Sequence, residues 1–224
     1  MSTEIYRIFL YDEQFFWLEE KFNCYVEIYR QKPGEPFVEG LIGETVKVEE
    51  IPTYIQNHEN ENLWRSWTVY KNRDRSHEVG PLPLILDIDD EFHLEKAHGL
   101  TNICLNILQQ MGISRDNVRV VFTGRKGFHI EIKPYEPVEA RAFQNQIIEQ
   151  CKDKDFIPLN NNIFWGSTVL DPVHYQVRLT GSLNSWHYEN RVISRKVIQL
   201  SIDEFSSLHL DEILERSSIH KSID

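Results

Sequence analysis

The stretch LILDID, residues 84–89, decides how this 224-residue sequence is organised, because an apolar run ends there in closely spaced acid. A short, continuous apolar run is typical of a buried β-strand. A strand would direct Asp87 and Asp89 to one face at its end, and Asp90 to the other face. Two such carboxylates repel each other unless a cation lies between them, which indicates a Mg²⁺ or Mn²⁺ site. An acidic turn that serves only the fold is the alternative that this stretch alone leaves open.

A basic hairpin is predicted from a second stretch, NVRVVFTGRKGFHIEI, which covers residues 117–132. Pairing Phe122 with Ile130 on a common core face places Thr123 opposite His129 on the other face. The tip, GRKG, carries two cations between two glycines. A hydroxyl, an imidazole and two cations together favour a cradle for a polyphosphate, although a solvated basic tip is equally compatible with this stretch alone.

A third stretch, STVLDPVHYQVRLTGSLNSWH, covers residues 167–187 and again ends an apolar run in acid. Asp171 is therefore a candidate third carboxylate for a metal. Arg178 and Ser182 flank a turn at Gly181 and are candidates for phosphate contacts. Acid and basic groups in this order indicate phosphoryl or nucleotidyl transfer assisted by two metal ions.

The three stretches together resemble the motifs of the archaeo-eukaryotic primase superfamily. That family has an Asp-x-Asp pair, then SGRRGxH on a hairpin, then a hydrophobic-Asp motif followed by RxPGSLH. This chain has DID, TGRKGFH, and LDP followed by RLTGSLN, and the resemblance covers residues 82–187. The departures are modest: Thr123 keeps the hydroxyl of the usual Ser, Thr180 replaces Pro, and Asn184 replaces His, with His187 as a candidate substitute.

The resemblance implies an α+β fold, the archaeo-eukaryotic primase fold, in which an RRM-like mixed sheet packs with an accessory α/β unit. Residues 1–224 would form a single primase-polymerase catalytic domain. Its accessory N-terminal part would occupy 1–80, the catalytic core 81–202, and a C-terminal helix and tail 203–224.

The residue roles follow from the same resemblance. Two Mg²⁺ or Mn²⁺ ions would be held by a catalytic triad of carboxylates: Asp87, Asp89 and Asp171. The triphosphate of the incoming nucleotide would be contacted by seven residues: Thr123, Arg125, Lys126, His129, Arg178, Ser182 and Asn184. Zinc is not expected, because the sequence lacks the Cys/His element that many family members carry.

The activity implied is that of a DNA primase or DNA-directed RNA or DNA polymerase. It would use NTPs or dNTPs to make or extend short primers on single-stranded DNA template or primer-template. A gap-filling, end-joining or translesion polymerase of the same fold stays open, as does a non-catalytic nucleic-acid-binding subunit. A haloacid-dehalogenase-type phosphatase is disfavoured because Glu91 stands where that family has Thr or Val. Nothing beyond the DxD pattern suggests a glycosyltransferase.

Composition limits the setting in which this chemistry takes place. The formal charge of −11 argues against coating nucleic acid by bulk electrostatics. We therefore expect a partner to hold the template, such as a large primase subunit, a helicase or another DNA-binding protein. The three cysteines are far apart, which favours an intracellular setting in the cytoplasm or nucleoid. No secretory signal or membrane-spanning stretch is present, so no membrane partner is expected.

The remaining elements are predicted from periodicity and from turn residues. A helix is expected over 91–111, ended by Gly112, whereas polar residues at 52–62 predict a loop. Four further elements are expected: a helix at 137–151, strands at 164–177 and 195–202, and a helix at 203–215.

Overall fold

In the computed structural model the chain divides into two compact units. The first comprises Met1–Gly80, Tyr175–Ile198 and Leu214–Asp224, and the second comprises Pro81–His174 and Gln199–Ile213. The structure describes residues 15, 23–33, 43–79, 83–133, 149, 157–159, 162–165, 168–172, 176–188 and 191–219. Helices and two sheets are present, so the predicted α+β class is confirmed. Within these described residues, no helix is both long enough and apolar enough to cross a membrane.

An eight-stranded sheet forms the first unit. Its strands are β1 (Tyr25–Gln31), β2 (Glu44–Lys47), β3 (Asn62–Ser66), β4 (Val69–Tyr70), β5 (Glu78–Val79), β12 (Gln176–Arg178), β13 (Leu183–Tyr188) and β14 (Arg191–Lys196). Their order is β14-β13-β3-β1-β4-β5, with β12 also paired to β3 and β2 to β1. Alternate residues such as Val26, Ile28 and Leu63 are fully buried, so one face of this sheet forms the core of the unit.

The loop predicted for residues 52–62 is wrong in its first half, where helix α1 spans Ile51–Asn57. Pro52 lies in the first turn, where its missing N–H would have had no partner within the helix. Ile51 and Ile55 are both buried on one side, and this four-residue spacing is the helical signal that the polar composition obscured.

A seven-stranded sheet forms the second unit, in the order β15-β7-β8-β6-β11-β10-β9. Its strands are β6 (Leu84–Asp89), β7 (Val118–Phe122), β8 (Gly127–Ile132), β9 (Ile157–Leu159), β10 (Asn162–Trp165), β11 (Thr168–Pro172) and β15 (Ile198–Ser201). Helices α2 (Leu94–Gln110) and α3 (Ile202–Ser207) belong to this unit, and α4 (Leu210–Ser217) begins in it. Helix α2 packs against β6 and β8, where His98 contacts Phe128.

The turn between β6 and α2 is held by Asp90, which follows the two motif acids. Its buried carboxylate accepts hydrogen bonds from the backbone N–H groups of Phe92 and His93, at 2.9 and 2.8 Å. The predicted helix therefore begins at Leu94, later than expected, because residues 91–93 belong to this turn. Gly112 has a φ of 82° just beyond the helix, as expected for its end.

The hairpin of β7 and β8 forms as predicted, but in a register that differs by two residues. Phe122 pairs with Phe128 rather than with Ile130, and Thr123 therefore lies opposite Gly127 instead of opposite His129. A shift of two residues keeps each side chain on its predicted face, because side chains alternate with a period of two. The pairing prediction was wrong, whereas the assignment of faces was correct.

Three other predicted elements are divided in the structure. Trp165 pairs with Thr168, so the chain reverses within 164–177 and contributes to β10, β11 and β12. The segment 195–202 contributes to β14 and β15, which belong to different sheets. The expected helix at 203–215 is two helices, since Leu208 is extended between α3 and α4. The helix predicted at 137–151 lies outside the described residues, apart from Glu149, which is helical.

Candidate active site

The end of β6 brings the three sequence motifs into one row of the second sheet. Asp87 is the direct Cα partner of His129 on β8 and of Asp171 on β11. Directly paired positions lie on the same face of a sheet. The backbone of Asp171 is described and its side chain is not, so its contribution is its place in this row. Asp89, two residues beyond Asp87, shares that face by alternation.

His129 forms an ion pair with the first motif acid. Its Nε2 lies 3.3 Å from Oδ1 of Asp87, and the imidazole is only 5% exposed. Burial by itself lowers the pKa of His129, but the Asp87, Glu131 and Asp89 carboxylates together raise it above its ordinary value. Among the described residues, no hydrogen-bond partner is present for the Nδ1 atom of His129. The Asp87 carboxylate thus stabilises the protonated form of the imidazole, whose Nε2 is directed at it.

Lys126 neutralises the second motif acid. Its Nζ lies 2.8 Å from Oδ2 of Asp89. Burial raises the pKa of Asp89, the neighbouring Asp87 carboxylate raises it further, and Lys126 opposes both effects. Burial lowers the pKa of Lys126, but the hydrogen bond to Asp89 and the charges of Asp89, Glu91 and Asp87 together raise it. Asp87 and Asp89 therefore repel each other at the end of β6 even though Lys126 is paired with Asp89.

Gly127 allows the hairpin to approach β6 this closely. It is the direct partner of Asp89 in the β6–β8 ladder. A Cβ atom at this position would lie 2.0 Å from the backbone oxygen of Ile88 and 2.2 Å from Oδ1 of Asp89. Glycine is thus required by space here, whereas Gly124 at the other end of the tip is favoured by its φ of 87°.

Glu91 is a member of this charged cluster that sequence reasoning did not assign to the site. Its Oε1 accepts a hydrogen bond of 2.6 Å from the guanidinium of Arg125, and its Oε2 lies 3.9 Å from Nζ of Lys126. The signal that could have found it is the spacing of acids at residues 87, 89 and 91, each two residues after the last.

Thr123 has its hydroxyl proton engaged within the hairpin. Its Oγ1 donates to the backbone oxygen of Gly127 at 3.0 Å, and the side chain is buried. A hydroxyl has one proton to donate, so a phosphate contact would require this bond to break. The structure thus places Thr123 in the motif, with its donor already in use.

The predicted phosphate-binding residues of the third motif lie in the first unit. The guanidinium carbon of Arg178 lies 4.0 Å from the centroid of the Trp64 ring, a cation–π contact. Ser182 is buried, and its hydroxyl donates to the backbone oxygen of Leu179 at 2.6 Å. Asn184 is also buried, at 4% exposure.

The two β6 carboxylates fit a hard divalent cation. They present oxygen ligands on one face, and burial together with repulsion by Asp87 raises the pKa of Asp89, an effect that a bound cation would oppose. Among the described side chains, which do not include that of Asp171, no group of three or more His, Cys, Asp or Glu residues is assembled for a metal. Position 171 lies in the same row as Asp87 and is placed to complete such a set.

Comparisons with known proteins bear on the fold. No protein-family model and no curated protein sequence matches the chain. Among solved structures, the chain is similar to the polymerase domain from Mycobacterium tuberculosis Ligase D in complex with DNA, with a TM-score of 0.57 and 13% sequence identity. The alignment covers 96% of this chain and 88% of that one. At this identity the likeness shows a shared fold, and that fold is of the class predicted from the motifs.

Proposed function

We propose that this protein is a template-dependent nucleotidyltransferase, which joins an NTP or dNTP to the 3′-hydroxyl of a primer or of a first nucleotide. The observation that carries the proposal is the row at the end of β6. Asp87 and Asp89 share a face with the backbone position of Asp171, and basic side chains of the neighbouring hairpin are directed at both acids. Paired carboxylates beside cations suit a phosphoryl-transfer centre that works with divalent metal ions.

The carboxylates would hold the metal ions. Asp87, Asp89 and Asp171 would be the ligands of two Mg²⁺ or Mn²⁺ ions, which when bound would supply Lewis-acid stabilisation of the attacking hydroxyl and of the departing pyrophosphate. The chain contributes two carboxylates fixed by alternation on a strand whose other face is buried, so little reorganisation is needed at their backbone.

The basic side chains would bind and orient the triphosphate. Lys126 and Arg125 have half-exposed heads at the hairpin tip, within reach of an incoming anion. His129, whose pKa is raised, directs its Nε2 towards the same row. It would donate a hydrogen bond to a phosphate oxygen rather than act as a base. The hydroxyls of Thr123 and Ser182 already hold turns, and phosphate contacts by these two residues, like those by Arg178 and Asn184, stay predictions from the motif.

A second candidate function is extension of an existing primer end, as in gap filling. The similar structure is the polymerase domain of a ligase, in complex with DNA. A polymerase that extends an existing end is therefore the second candidate. The chemistry at the row of acids is the same in both, so only the requirement for a primer distinguishes them.

One experiment tests both candidates. The protein is incubated with single-stranded template, labelled NTPs or dNTPs, and Mn²⁺, with and without an annealed primer. Product without primer supports primer synthesis, and product only with primer supports extension. No product under either condition contradicts the proposed function, provided that the protein is folded by circular dichroism.

Replacing Asp89 by Asn should abolish that product while leaving the fold intact. The Asp89→Asn change keeps the shape of the side chain but removes its charge, and loss of a metal ligand costs several kcal/mol of transition-state stabilisation, or about 1000-fold in rate. The matched control is Asp116→Asn, the same chemical change on an exposed residue of the same unit. Equal product from the two variants would remove Asp89 from the catalytic set.

A further inference from the structure

Each basic group of the hairpin that is proposed to hold the triphosphate already has a carboxylate partner. Three acid–base pairs lie at the end of β6: Asp87 with His129 at 3.3 Å, Asp89 with Lys126 at 2.8 Å, and Glu91 with Arg125 at 2.6 Å. Each of these three basic groups of the hairpin therefore lies against an acid of β6 or of the turn that follows it. A triphosphate that takes the donor groups engaged in these pairs must displace the protein's own carboxylates.

Glu91 differs from the other two acids of the cluster. Asp87 and Asp89 are proposed metal ligands, so bound cations would replace their basic partners. Glu91 follows the end of β6 and has no such role. Its side chain is 46% exposed and that of Arg125 is 40% exposed, which is the setting in which an ion pair is weak and readily exchanged. Once Arg125 leaves, the Glu91 carboxylate returns to water without a penalty for burial.

We propose that Glu91 is a positioning residue that holds Arg125 in the nucleotide-free protein and competes with the triphosphate for it. The inference rests on the proposed function, since it assumes that Arg125 binds the nucleotide. Glu91 Oε1 accepts from one NH2 group of Arg125 and offsets the guanidinium charge, so a phosphate that engages this NH2 group must displace Glu91. Glu91 thereby weakens nucleotide binding and sets the affinity that the site reaches.

The competition predicts a specific sign for the effect of removing the charge. Glu91→Gln should lower the Kd for the nucleotide about two- to fivefold, the range that an exposed ion pair supports. If Glu91 instead served to preorganise Arg125 for the nucleotide, the same variant would raise the Kd. Glu91→Asp keeps the charge and should bind nucleotide more like the original protein.

The measurement is binding of dGTP or GTP with Mn²⁺, by calorimetry on the full chain, with no template or primer present so that no product forms. The matched control is Glu95→Gln, which removes one exposed acid about a helical turn further along the chain. It reports the effect of net charge alone. The inference requires a larger decrease in Kd for Glu91→Gln than for Glu95→Gln.

A double-mutant cycle separates direct competition from a general electrostatic effect. In an Arg125→Gln background, Glu91→Gln should lose most of its effect, because the guanidinium for which it competes is gone. A small remainder is expected from Lys126, whose Nζ lies 3.9 Å from Glu91. An undiminished effect in that background overturns the inference.

The outcomes also separate the inference from the function on which it rests. If the original protein binds dGTP or GTP and Glu91→Gln behaves like Glu95→Gln, the role of Glu91 is wrong while the proposed function stands. If the original protein, folded by circular dichroism, binds neither nucleotide, both are overturned. Tighter binding by Glu91→Gln that depends on Arg125 supports both.

Discussion

The carboxylates at the end of β6 and the polar side chains beside β3 differ in what their hydrogen-bonding groups already do. Asp89 is held by Lys126, a cation with a half-exposed head that can change partner. Asn62 is 3% exposed. Its side-chain amide accepts a hydrogen bond from the backbone N–H of Ser185 at 2.6 Å and donates one to the backbone carbonyl of Ser185 at 3.1 Å. Exposed charge pairs are available for exchange, whereas buried amide bonds define the fold. Substitutions should therefore affect activity in one region and stability in the other.

The largest effect is expected at Gly127, where one substitution should lower both stability and activity. Gly127→Ala forces a Cβ atom against the Ile88 carbonyl and the Asp89 carboxylate, so we expect a loss of about 3 kcal/mol in the free energy of unfolding. Product per folded molecule should fall as well, because Asp89 is displaced. Urea denaturation and the primer assay measure the two effects.

Gly112→Ala is the control for that change. Gly112 has open space around its α-carbon but a φ of 82°, so strain of about 1 kcal/mol is expected with no change in activity. Comparable costs in the two variants would show that the close approach of β8 to β6 is not what requires glycine at position 127.

A smaller effect, on stability alone, is expected at Asn62. Asn62→Ala leaves the buried backbone groups of Ser185 without their partners, at a cost of about 2 kcal/mol. Activity per folded molecule should be unchanged, as measured by urea denaturation beside the primer assay. The control is Asn106→Ala on the exposed side of α2, which should be neutral or slightly stabilising. If Asn62→Ala lost activity without losing stability, the proposed division between an activity region at the end of β6 and a stability region around Asn62 would be wrong.

The smallest effect on stability at neutral pH is expected at Tyr29, in the same sheet as Asn62. Burial and the Glu27 carboxylate raise the pKa of Tyr29 from 10.0 to about 12, and its hydroxyl donates to Glu27 at 3.1 Å. Because the folded-state pKa is the higher one, the stabilisation is complete below pH 10.0 and is lost as the pH rises through about 12. Subtracting the ultraviolet titration of Tyr29→Phe from that of the original protein isolates this phenol. An ordinary pKa for Tyr29 would show that the phenol is not tied to Glu27.

The sequence predicted the acidic strand, the following helix and the basic hairpin, because each depends on local periodicity and on glycine. It did not predict helix α1, whose apolar contacts at Ile51 and Ile55 lie within a polar segment. The hairpin register was also missed, since apolar alternation is satisfied equally by pairings that differ by two residues. Only the ladder itself distinguishes Phe122 opposite Phe128 from Phe122 opposite Ile130.

The candidate site, like the fold, was predicted from the sequence only in part. Alternation along β6 was enough to place Asp87 and Asp89 on one face, because that depends on strand geometry alone. The pairing of Asp87 with His129 and Asp171 joins residues far apart in the chain, and only the tertiary structure decides such contacts. Only the structure, too, shows that Arg125 is held by Glu91, and that Thr123 and Ser182 already donate their single protons. Sequence determines which chemical groups a motif offers, and the folded chain decides which of them are still available to a ligand.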